Sequence, residues 1–325
     1  MTKIPIKIIL PGGGVKCAYQ VGFLDELLNS DDFFNKYDVI EINGSSGGAI
    51  VGSYAATGQI KYIEEIISKH NSIDDVFIPW FDIPYINKLH ILHFIIKIIN
   101  LFISVTKRSL FNPKKLYDSI DGLDIDVLKE QTYNKIIGLN KFNCVVTNLS
   151  DQKIEYINGS NIYIKDYIKA SSTLWLLCPP YVLNSKEYMD GGLCELYPFG
   201  HDATLPNVMY DDDDIIKLID IDKTHTDSDC KYILVNTQNG KPLKHDSRDI
   251  FYYLNSIIHT THQQLAYHRI IHHDILKNKN ILNYMLPNNI FTGSVDINRD
   301  KISAAINAGK KDGLKCLNDL NCLVK

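Results

Sequence analysis

The chain has 325 residues, 45% of them hydrophobic and 22% charged, which are ordinary globular values and exclude collagen-like, coiled-coil and wholly disordered classes. A formal net charge of −4, from 34 basic and 38 acidic residues, gives no indication of nucleic-acid binding. A chain of this length can bury a large core without disulfides or a structural metal.

The N-terminal part of the chain alternates apolar strands with helices. Residues 7–10 form an apolar run that predicts a buried strand, and residues 15–29 have the apolar spacing of an amphipathic helix. Residues 38–43 predict a second strand, and residues 49–57 are small and apolar, as in a helix packed closely on a sheet. This repeated order of strand, turn and helix is typical of a parallel α/β sheet.

The rest of the chain predicts further elements around a long insertion. The insertion covers about residues 70–139 and is dominated by a helix at 87–108. Further strands are predicted at 142–149, 153–158, 187–189 and 232–237, and further helices at 162–172, about 247–276 and 299–320. Without a repeat or a Pro- or Ser-rich linker, the sequence predicts one domain over 1–325. Its core covers about 5–240, including the cap-like insertion, and is followed by a C-terminal helical part at about 241–325.

The first chemical motif is a G-x-S-x-G pattern formed by Gly44, Ser46 and Gly48. It lies between the second predicted strand and the small-residue helix, where a sharp turn exposes the central serine. The N-terminus of the following helix favours negative charge that develops beside the serine. The alternative is a Gly/Ser turn without chemistry, because short patterns of this kind also occur by chance.

A second glycine-rich turn follows the first predicted strand, where residues 12–16 read Gly-Gly-Gly-Val-Lys. Successive glycines allow backbone N–H groups to point at one anion, either a ligand phosphate or an oxyanion formed in a reaction. The pattern is not a Walker A loop, and Cys17 stands where the dinucleotide fingerprint has its third glycine. The alternative is a tight turn between strand and helix.

The third motif is Asp190-Gly191-Gly192, which follows a short predicted strand. An Asp-Gly step is most often only a turn. A nucleophilic serine, however, needs a base, and an aspartate can serve if it is held close to the hydroxyl in a dry pocket. Removal from water raises the pKa of the carboxyl and strengthens its attraction for the proton.

Taken together, these motifs resemble those of the patatin-like phospholipases, a family of lipid acyl hydrolases with a Ser–Asp dyad. The matching segments, in the order of the family, are residues 12–16, 44–48, 168–172 with Pro179 and Pro180, and 190–192. The resemblance covers about residues 5–240. It implies an α/β fold, a three-layer α/β/α sandwich with a mainly parallel central sheet and a helical cap-like insertion.

The resemblance also implies roles for individual residues. Ser46 would be the nucleophile and Asp190 the base, and the backbone N–H groups of Gly12, Gly13 and Gly14 would form the oxyanion hole. The residues that complete the motifs are Lys16, Gly44, Gly48, Gly191 and Gly192. The chain departs from the family at two positions: Cys17 replaces a usual glycine, and Leu196 replaces a frequent asparagine near the Asp190 turn.

The implied activity is cleavage of acyl esters, of the phospholipase A or lysophospholipase type, through an acyl-enzyme and without a cofactor or metal. The expected partner is a phospholipid or another acyl-ester lipid, and no nucleic acid. Two alternatives stay open. One is an α/β-hydrolase-type esterase with a Ser-Asp-His triad, which would use His201, His225 or His245; the other is a catalytically inactive lipid-binding module.

The helix predicted at 87–108 combines one polar stripe with broad apolar faces. Such faces require burial in the protein core, in a lid over the active site or in the outer layer of a bilayer. The apolar stretch within this helix, residues 91–105, is too short and too polar to span a membrane. Together with scattered cysteines and no signal-peptide layout, this predicts a cytoplasmic protein that can contact membranes peripherally.

Two weaker patterns do not predict a metal site. His268 and His272 have the spacing of a zinc pair, but no Glu lies in a HExxH arrangement. The acidic run at 211–214 lacks the ligand spacing and the glycine of a calcium loop.

Overall fold

In the computed structural model, the strands of the central sheet come from both ends of the chain. The structure describes residues 2–80, 99–100, 102–125, 136–199, 230–237, 281–287, 289–291 and 293–323. The strands are β1 (Ile4–Leu10), β2 (Tyr37–Ser45), β3 (Phe142–Asn148), β4 (Lys153–Asn158), β5 (Tyr181–Leu183), β6 (Lys186–Asp190), β7 (Lys231–Asn236) and β8 (Ile281–Met285). They form one eight-stranded sheet in the order β5-β6-β3-β2-β1-β7-β8, with β4 also paired to β3.

Helices cover this sheet and connect its strands. They are α1 (Ala18–Asn29), α2 (Asp31–Lys36), α3 (Gly47–Ala56), α4 (Ile60–Ser68), α5 (Lys114–Asp121), α6 (Ile164–Ser171) and α7 (Arg299–Leu323). Short 3-10 turns lie at Gly14–Cys17, Ile73–Asp75, Leu139–Lys141 and Gly191–Leu193. Among the described residues, no helix is long and apolar enough to cross a membrane.

The centre of the sheet is parallel: β1 pairs with β2 and β7, β2 with β3, and β7 with β8. The antiparallel pairs among the described strands are β3 with β4, β3 with β6, and β5 with β6. Because β1 is buried on both faces, its side chains alternate between two cores. Ile6 and Ile8 belong to the large core, whereas Ile9 packs with Leu196 and Phe199 on the other face. The expected α/β fold with a mainly parallel sheet is therefore confirmed.

The parallel register of β1 and β2 brings two predicted motifs to the same edge of the sheet. Leu10, the last residue of β1, pairs with Gly44 near the end of β2. The glycine-rich turn leaves the sheet after Leu10, and the G-x-S-x-G turn leaves it one strand away. The carboxyl edge of a parallel sheet is where ligands bind in open α/β folds.

The first and last helices pack against each other closely. A Cβ atom at Gly309 of α7 would collide with the carbonyl oxygen of Tyr19 in α1, and one at Gly22 of α1 would collide with that of Ile306. The Tyr19 hydroxyl donates a hydrogen bond of 2.7 Å to Asp312. The helix backbones are thus in direct contact, which only glycine allows at these positions.

Most strands and helices predicted in the described residues are confirmed within a few positions. The helix predicted from residue 15 begins as the 3-10 turn Gly14–Cys17. Five helices and strands among the described residues were not predicted: α2, α4, α5, β5 and β8. Of the predicted 87–108 helix, residues 99, 100 and 102–107 are helical, and 87–98 and 101 lie outside the described residues. The helix predicted at 247–276 and the acidic run at 211–214 also lie outside the described residues.

Candidate active site

Ser46 occupies the turn between β2 and α3 in a strained conformation. Its backbone φ is 56° and its ψ is −130°, values that a residue with a side chain adopts only when its surroundings impose them. Its N–H donates a hydrogen bond of 2.9 Å to the Ser171 hydroxyl, which donates one of 2.6 Å to the Val145 carbonyl. Helix α6 and strand β3 therefore hold the serine turn in place.

The Ser46 hydroxyl is in direct contact with the carboxylate of Asp190. Ser46 Oγ donates a hydrogen bond of 2.5 Å to Asp190 Oδ2, and the two residues are 5% and 2% exposed. The other oxygen, Asp190 Oδ1, accepts a hydrogen bond of 2.7 Å from the N–H of Gly192. The Asp190 carbonyl also accepts a bond of 2.9 Å from Thr147 Oγ1, which fixes the end of β6 against β3.

Burial changes the acidity of this carboxyl group. The loss of water around Asp190 raises its pKa to about 7, although the hydrogen bonds from Ser46 and Gly192 act in the opposite direction. A carboxylate with a pKa near neutrality is a much better proton acceptor than an exposed aspartate. The rise in pKa that is expected for an aspartate in a dry pocket is therefore found at Asp190.

The glycine-rich turn lies directly against Ser46. A Cβ atom at Gly12 would be 2.7 Å from Ser46 Cβ and 3.4 Å from Ser46 Oγ, so no larger residue fits there without displacing the serine. Thr237 Oγ1 donates a bond of 2.5 Å to the Gly12 carbonyl. Within the described residues, the N–H groups of Gly12 and Gly13 donate no hydrogen bond. They are available to a bound group.

The remaining motif residues lie around this pair. Gly44 is the last residue but one of β2 and Gly48 lies in the first turn of α3, whereas Gly191 and Gly192 begin the 3-10 turn after Asp190. Lys16 is buried in the turn Gly14–Cys17, and burial lowers its pKa to about 8. The structure brings all of the predicted site residues to one edge of the sheet.

The two departures from the family pattern have different surroundings. Cys17 is buried and lines the cavity beside Ser46; a Cβ atom at Gly47 would lie 2.8 Å from its sulfur. The residue therefore affects the site as well as the packing of α1. Leu196 is buried with Ile9 and Tyr197 in the core on the second face of the sheet.

A cavity of about 130 Å³ opens beside Ser46. Its wall is almost entirely apolar and includes Val21, Ile50, Ile63, Phe77 and Leu116. An apolar cavity of about 150 Å³ holds a benzene-sized molecule and stays dry. The cavity beside Ser46 is thus suited to a few carbons of an apolar chain and not to a polar group.

Other candidate ligands of the sequence lie outside the described residues. Among the residues that the structure describes, no cluster of His, Cys, Asp and Glu could hold a metal ion. The zinc-spaced pair His268 and His272, and the three histidines proposed for an alternative triad, lie outside them.

Sequence analysis did not identify every residue that positions the site. The role of Ser171 was not assigned, although it lies in a segment that resembles the family. Thr147, Thr237 and Ser294 had no local signal, because their contacts join parts of the chain that are far apart.

A mainly parallel sheet that places a serine turn at its carboxyl edge, beside an apolar cavity, is typical of the hydrolase class of α/β proteins. A family model described as patatin-like phospholipase matches residues 8–202, more than half of the chain. The protein therefore belongs to the patatin-like phospholipase family, whose members act on lipid acyl esters.

Among solved structures, the crystal structure of VipD from Legionella pneumophila is similar to this chain, with 12% sequence identity and a TM-score of 0.41. The alignment covers 98% of this chain and 67% of VipD. A comparison with curated protein sequences finds no match.

Proposed function

We propose that this protein is a lipid acyl hydrolase of the phospholipase A or lysophospholipase type, with Ser46 as nucleophile and Asp190 as general base. The proposal is carried by the 2.5 Å hydrogen bond between Ser46 Oγ and Asp190 Oδ2. It is supported by the family of the chain and by the apolar cavity at the serine, which suits an acyl chain. The substrate is a phospholipid or another acyl-ester lipid.

The reaction proceeds by acyl transfer in two steps. Asp190 accepts the hydroxyl proton as Ser46 Oγ bonds to the ester carbonyl carbon, and the carbonyl oxygen becomes an oxyanion. When the ester C–O bond breaks, Asp190 returns the proton to the leaving alkoxide. Water then attacks the acyl-enzyme and gives a proton to Asp190. Collapse of the second tetrahedral intermediate returns that proton to Ser46 and releases the fatty acid.

The oxyanion is stabilised by the glycine-rich turn. The backbone N–H groups of Gly12, Gly13 and Gly14 are the proposed donors, supported by the close approach of Gly12 to Ser46. Donors of this kind need no rearrangement during the reaction, because the backbone already holds them. The first turn of α3 adds the positive end of a helix dipole at the same place. No metal or cofactor takes part in these steps.

The direct contact between hydroxyl and carboxylate argues against a Ser-Asp-His triad. In a triad, an imidazole lies between the serine oxygen and the carboxylate, whereas a separation of 2.5 Å between Ser46 Oγ and Asp190 Oδ2 leaves no space for one. An inactive lipid-binding module would not need a buried carboxylate on its serine. Labelling of Ser46 by a fluorophosphonate probe distinguishes an enzyme from such a module.

Contact with a lipid surface is proposed at exposed apolar residues near the cavity. Phe102 and Val105, in the helical part of the insertion, are each 71% exposed, and Trp175 is 46% exposed. The N–H of Leu110 donates to the Leu176 carbonyl, so the two segments are adjacent. The neighbour of Trp175, Leu174, lines the cavity. Exposed apolar residues beside a substrate cavity are typical of sites that meet a membrane.

The test is release of fatty acid from mixed phospholipid vesicles. We expect release by the wild type and a loss of at least about a thousandfold in Ser46→Ala, because the nucleophile is absent. Ser53→Ala is the matched control, since the hydroxyl of this buried serine donates to the carbonyl of Ile50 in its own helix and to no site residue among those described. Equal release by wild type and Ser46→Ala would rule out the proposed function.

A further inference from the structure

A turn just before α7, far outside the region that matches the family, forms part of the site. The N–H of Val15, in the glycine-rich turn, donates a hydrogen bond of 2.9 Å to the carbonyl of Ser294. The same carbonyl oxygen would collide with a Cβ atom at Gly14, whose φ is 56°. The proposed oxyanion turn and residues 294–297 are therefore in backbone contact.

The turn at residues 294–297 carries a charged residue, Asp296, that interacts with neighbouring lysines. The carboxylate of Asp296 forms an ion pair of 2.5 Å with Lys301 in the first turn of α7. It also acts on the buried Lys16 of the glycine-rich turn, where it favours the charged ammonium against the effect of burial. The ion pair between Asp296 and Lys301 therefore joins the turn to α7.

The two apolar side chains of the turn lie in the cavity wall. Val295 and Ile297 both line the cavity beside Ser46. Val295 packs in a cluster with Phe77 and Leu177, and Ile297 packs against the main core. The N–H of Ile297 donates a hydrogen bond of 2.9 Å to the carbonyl of Val295. The backbone therefore makes a tight turn between these two residues. A wall built in this way cannot move freely to admit a larger group.

We propose that Val295 and Ile297 form an acyl-selecting wall, which determines how much of the acyl chain enters the cavity beside Ser46. The inference rests on the proposed function, because the chain in question is that of the ester. By comparison with the benzene-sized cavity of about 150 Å³, the cavity of about 130 Å³ holds about six carbons. Longer chains extend beyond the wall and gain no further contact with it.

The first experiment measures kcat/KM for a series of soluble p-nitrophenyl esters from acetate to dodecanoate. In the wild type, kcat/KM rises about fourfold for each added methylene up to about hexanoate and then levels off. Val295→Trp and Ile297→Trp fill the cavity, so each lowers kcat/KM for hexanoate at least about tenfold more than it lowers kcat/KM for acetate. Val295→Ala enlarges the cavity and moves the plateau to a longer chain.

Leu314→Trp is the matched control, because Leu314 lies on α7 and is 52% exposed, away from the cavity lining. Its chain-length profile stays that of the wild type. Melting curves show whether each variant is folded. If a tryptophan variant is unfolded, Val295→Ala still decides, since its expected change has the opposite direction. An unchanged profile in all folded variants of Val295 and Ile297 overturns the acyl-selecting wall and leaves the proposed function intact.

A second experiment separates the wall from the chemistry. Calorimetry measures the binding of 2-alkanones, from butanone to decanone, to Ser46→Ala with and without Val295→Trp. We expect Val295→Trp to lower the affinity for 2-octanone at least about tenfold and the affinity for butanone by less than about threefold. If the wild type cleaves no ester but the ketones bind with this pattern, the proposed function fails and the wall stands. If the added Val295→Trp changes no ketone affinity, the wall is overturned.

Discussion

The environment of single residues decides the proposed chemistry, and Asp190 shows this most directly. It is buried, it accepts hydrogen bonds from Ser46 and Gly192, and burial raises its pKa to about 7. An aspartate in water would be ionised at every pH above about 5, so its activity would not depend on pH in the neutral range. The position in the fold therefore makes the ionisation of Asp190 relevant near neutral pH.

A pH profile tests this environment. A general base must be ionised, so kcat/KM for a soluble ester is expected to fall about tenfold for each pH unit below about 7 and to level off above it. The measurement is the initial rate at low substrate concentration from about pH 5 to about pH 9. A profile that stays flat down to about pH 5 would contradict the raised pKa of the base.

Gly12 is the second residue whose environment decides the proposed chemistry, because its surroundings leave no room for a side chain. In Gly12→Ala, the new Cβ would be 2.7 Å from Ser46 Cβ, so either the serine or the glycine-rich turn must move. We expect kcat to fall by a factor of about a hundred or more, as when an oxyanion donor is lost. Gly122→Ala is the control, because a Cβ at Gly122 meets no atom closer than 3.3 Å. Similar rates in the two variants would argue against the proposed oxyanion hole.

At the scale of the elements, helix α6 connects the serine turn to the sheet. The Ser171 hydroxyl accepts from the Ser46 N–H and donates to the carbonyl of Val145, and the side chain is fully buried. The two bonds join α6, the start of α3 and β3 through one oxygen atom. This connection stabilises the strained φ of Ser46, in addition to the glycines of the motif.

Ser171→Ala removes both hydrogen bonds and leaves the buried N–H of Ser46 without the acceptor that it has in the wild type. We expect the free energy of unfolding to fall by about 1–3 kcal/mol and kcat to fall at least about tenfold, because the serine turn is no longer held. Urea denaturation and ester hydrolysis measure the two effects. Ser160→Ala, in the exposed turn after β4, is expected to change the free energy of unfolding by less than about 0.5 kcal/mol. A stable, fully active Ser171→Ala would contradict this role.

The elements that could be predicted are those with a clear local pattern. Strand β1 has a continuous apolar run, and α3 has small apolar residues after a glycine turn, so both were found. Strand β8 was missed, because its sequence Ile-Leu-Asn-Tyr-Met is short and neither alternates nor is fully buried. The turn with Val295 and Ile297 was missed for another reason: its contacts with the glycine-rich turn are tertiary and have no local pattern.

At the scale of the whole molecule, the cavity and the exposed apolar residues lie close together. Phe102 and Val105 are each 71% exposed, and the segment that follows them is bonded to the one that contains Trp175. Under the proposed function, a substrate in a lipid aggregate is expected to reach Ser46 through this part of the surface. Binding to vesicles and cleavage of a dissolved ester should therefore depend on different residues.

A double variant tests this separation. Phe102→Ser with Val105→Ser removes apolar surface and is expected to weaken sedimentation with phospholipid vesicles by about tenfold or more. Hydrolysis of a dissolved short-chain ester should stay within about twofold of the wild type, since neither residue lines the cavity. Leu314→Ser, on α7, is the control for loss of an exposed apolar side chain. Unchanged vesicle binding would exclude these two residues as the contact.

The glycine contacts between α1 and α7 have a consequence for biosynthesis. The face of α1 that contains Tyr19 and Gly22 is completed by residues near Gly309, which leave the ribosome only after almost 290 more amino acids have been added. At about 5–20 residues per second, this interval is roughly 15 to 60 s. During that time this face of the first helix lacks its native neighbour α7 on the nascent chain. Cotranslational chaperones are therefore expected to bind it, and the Ser46 cavity forms only after translation of α7.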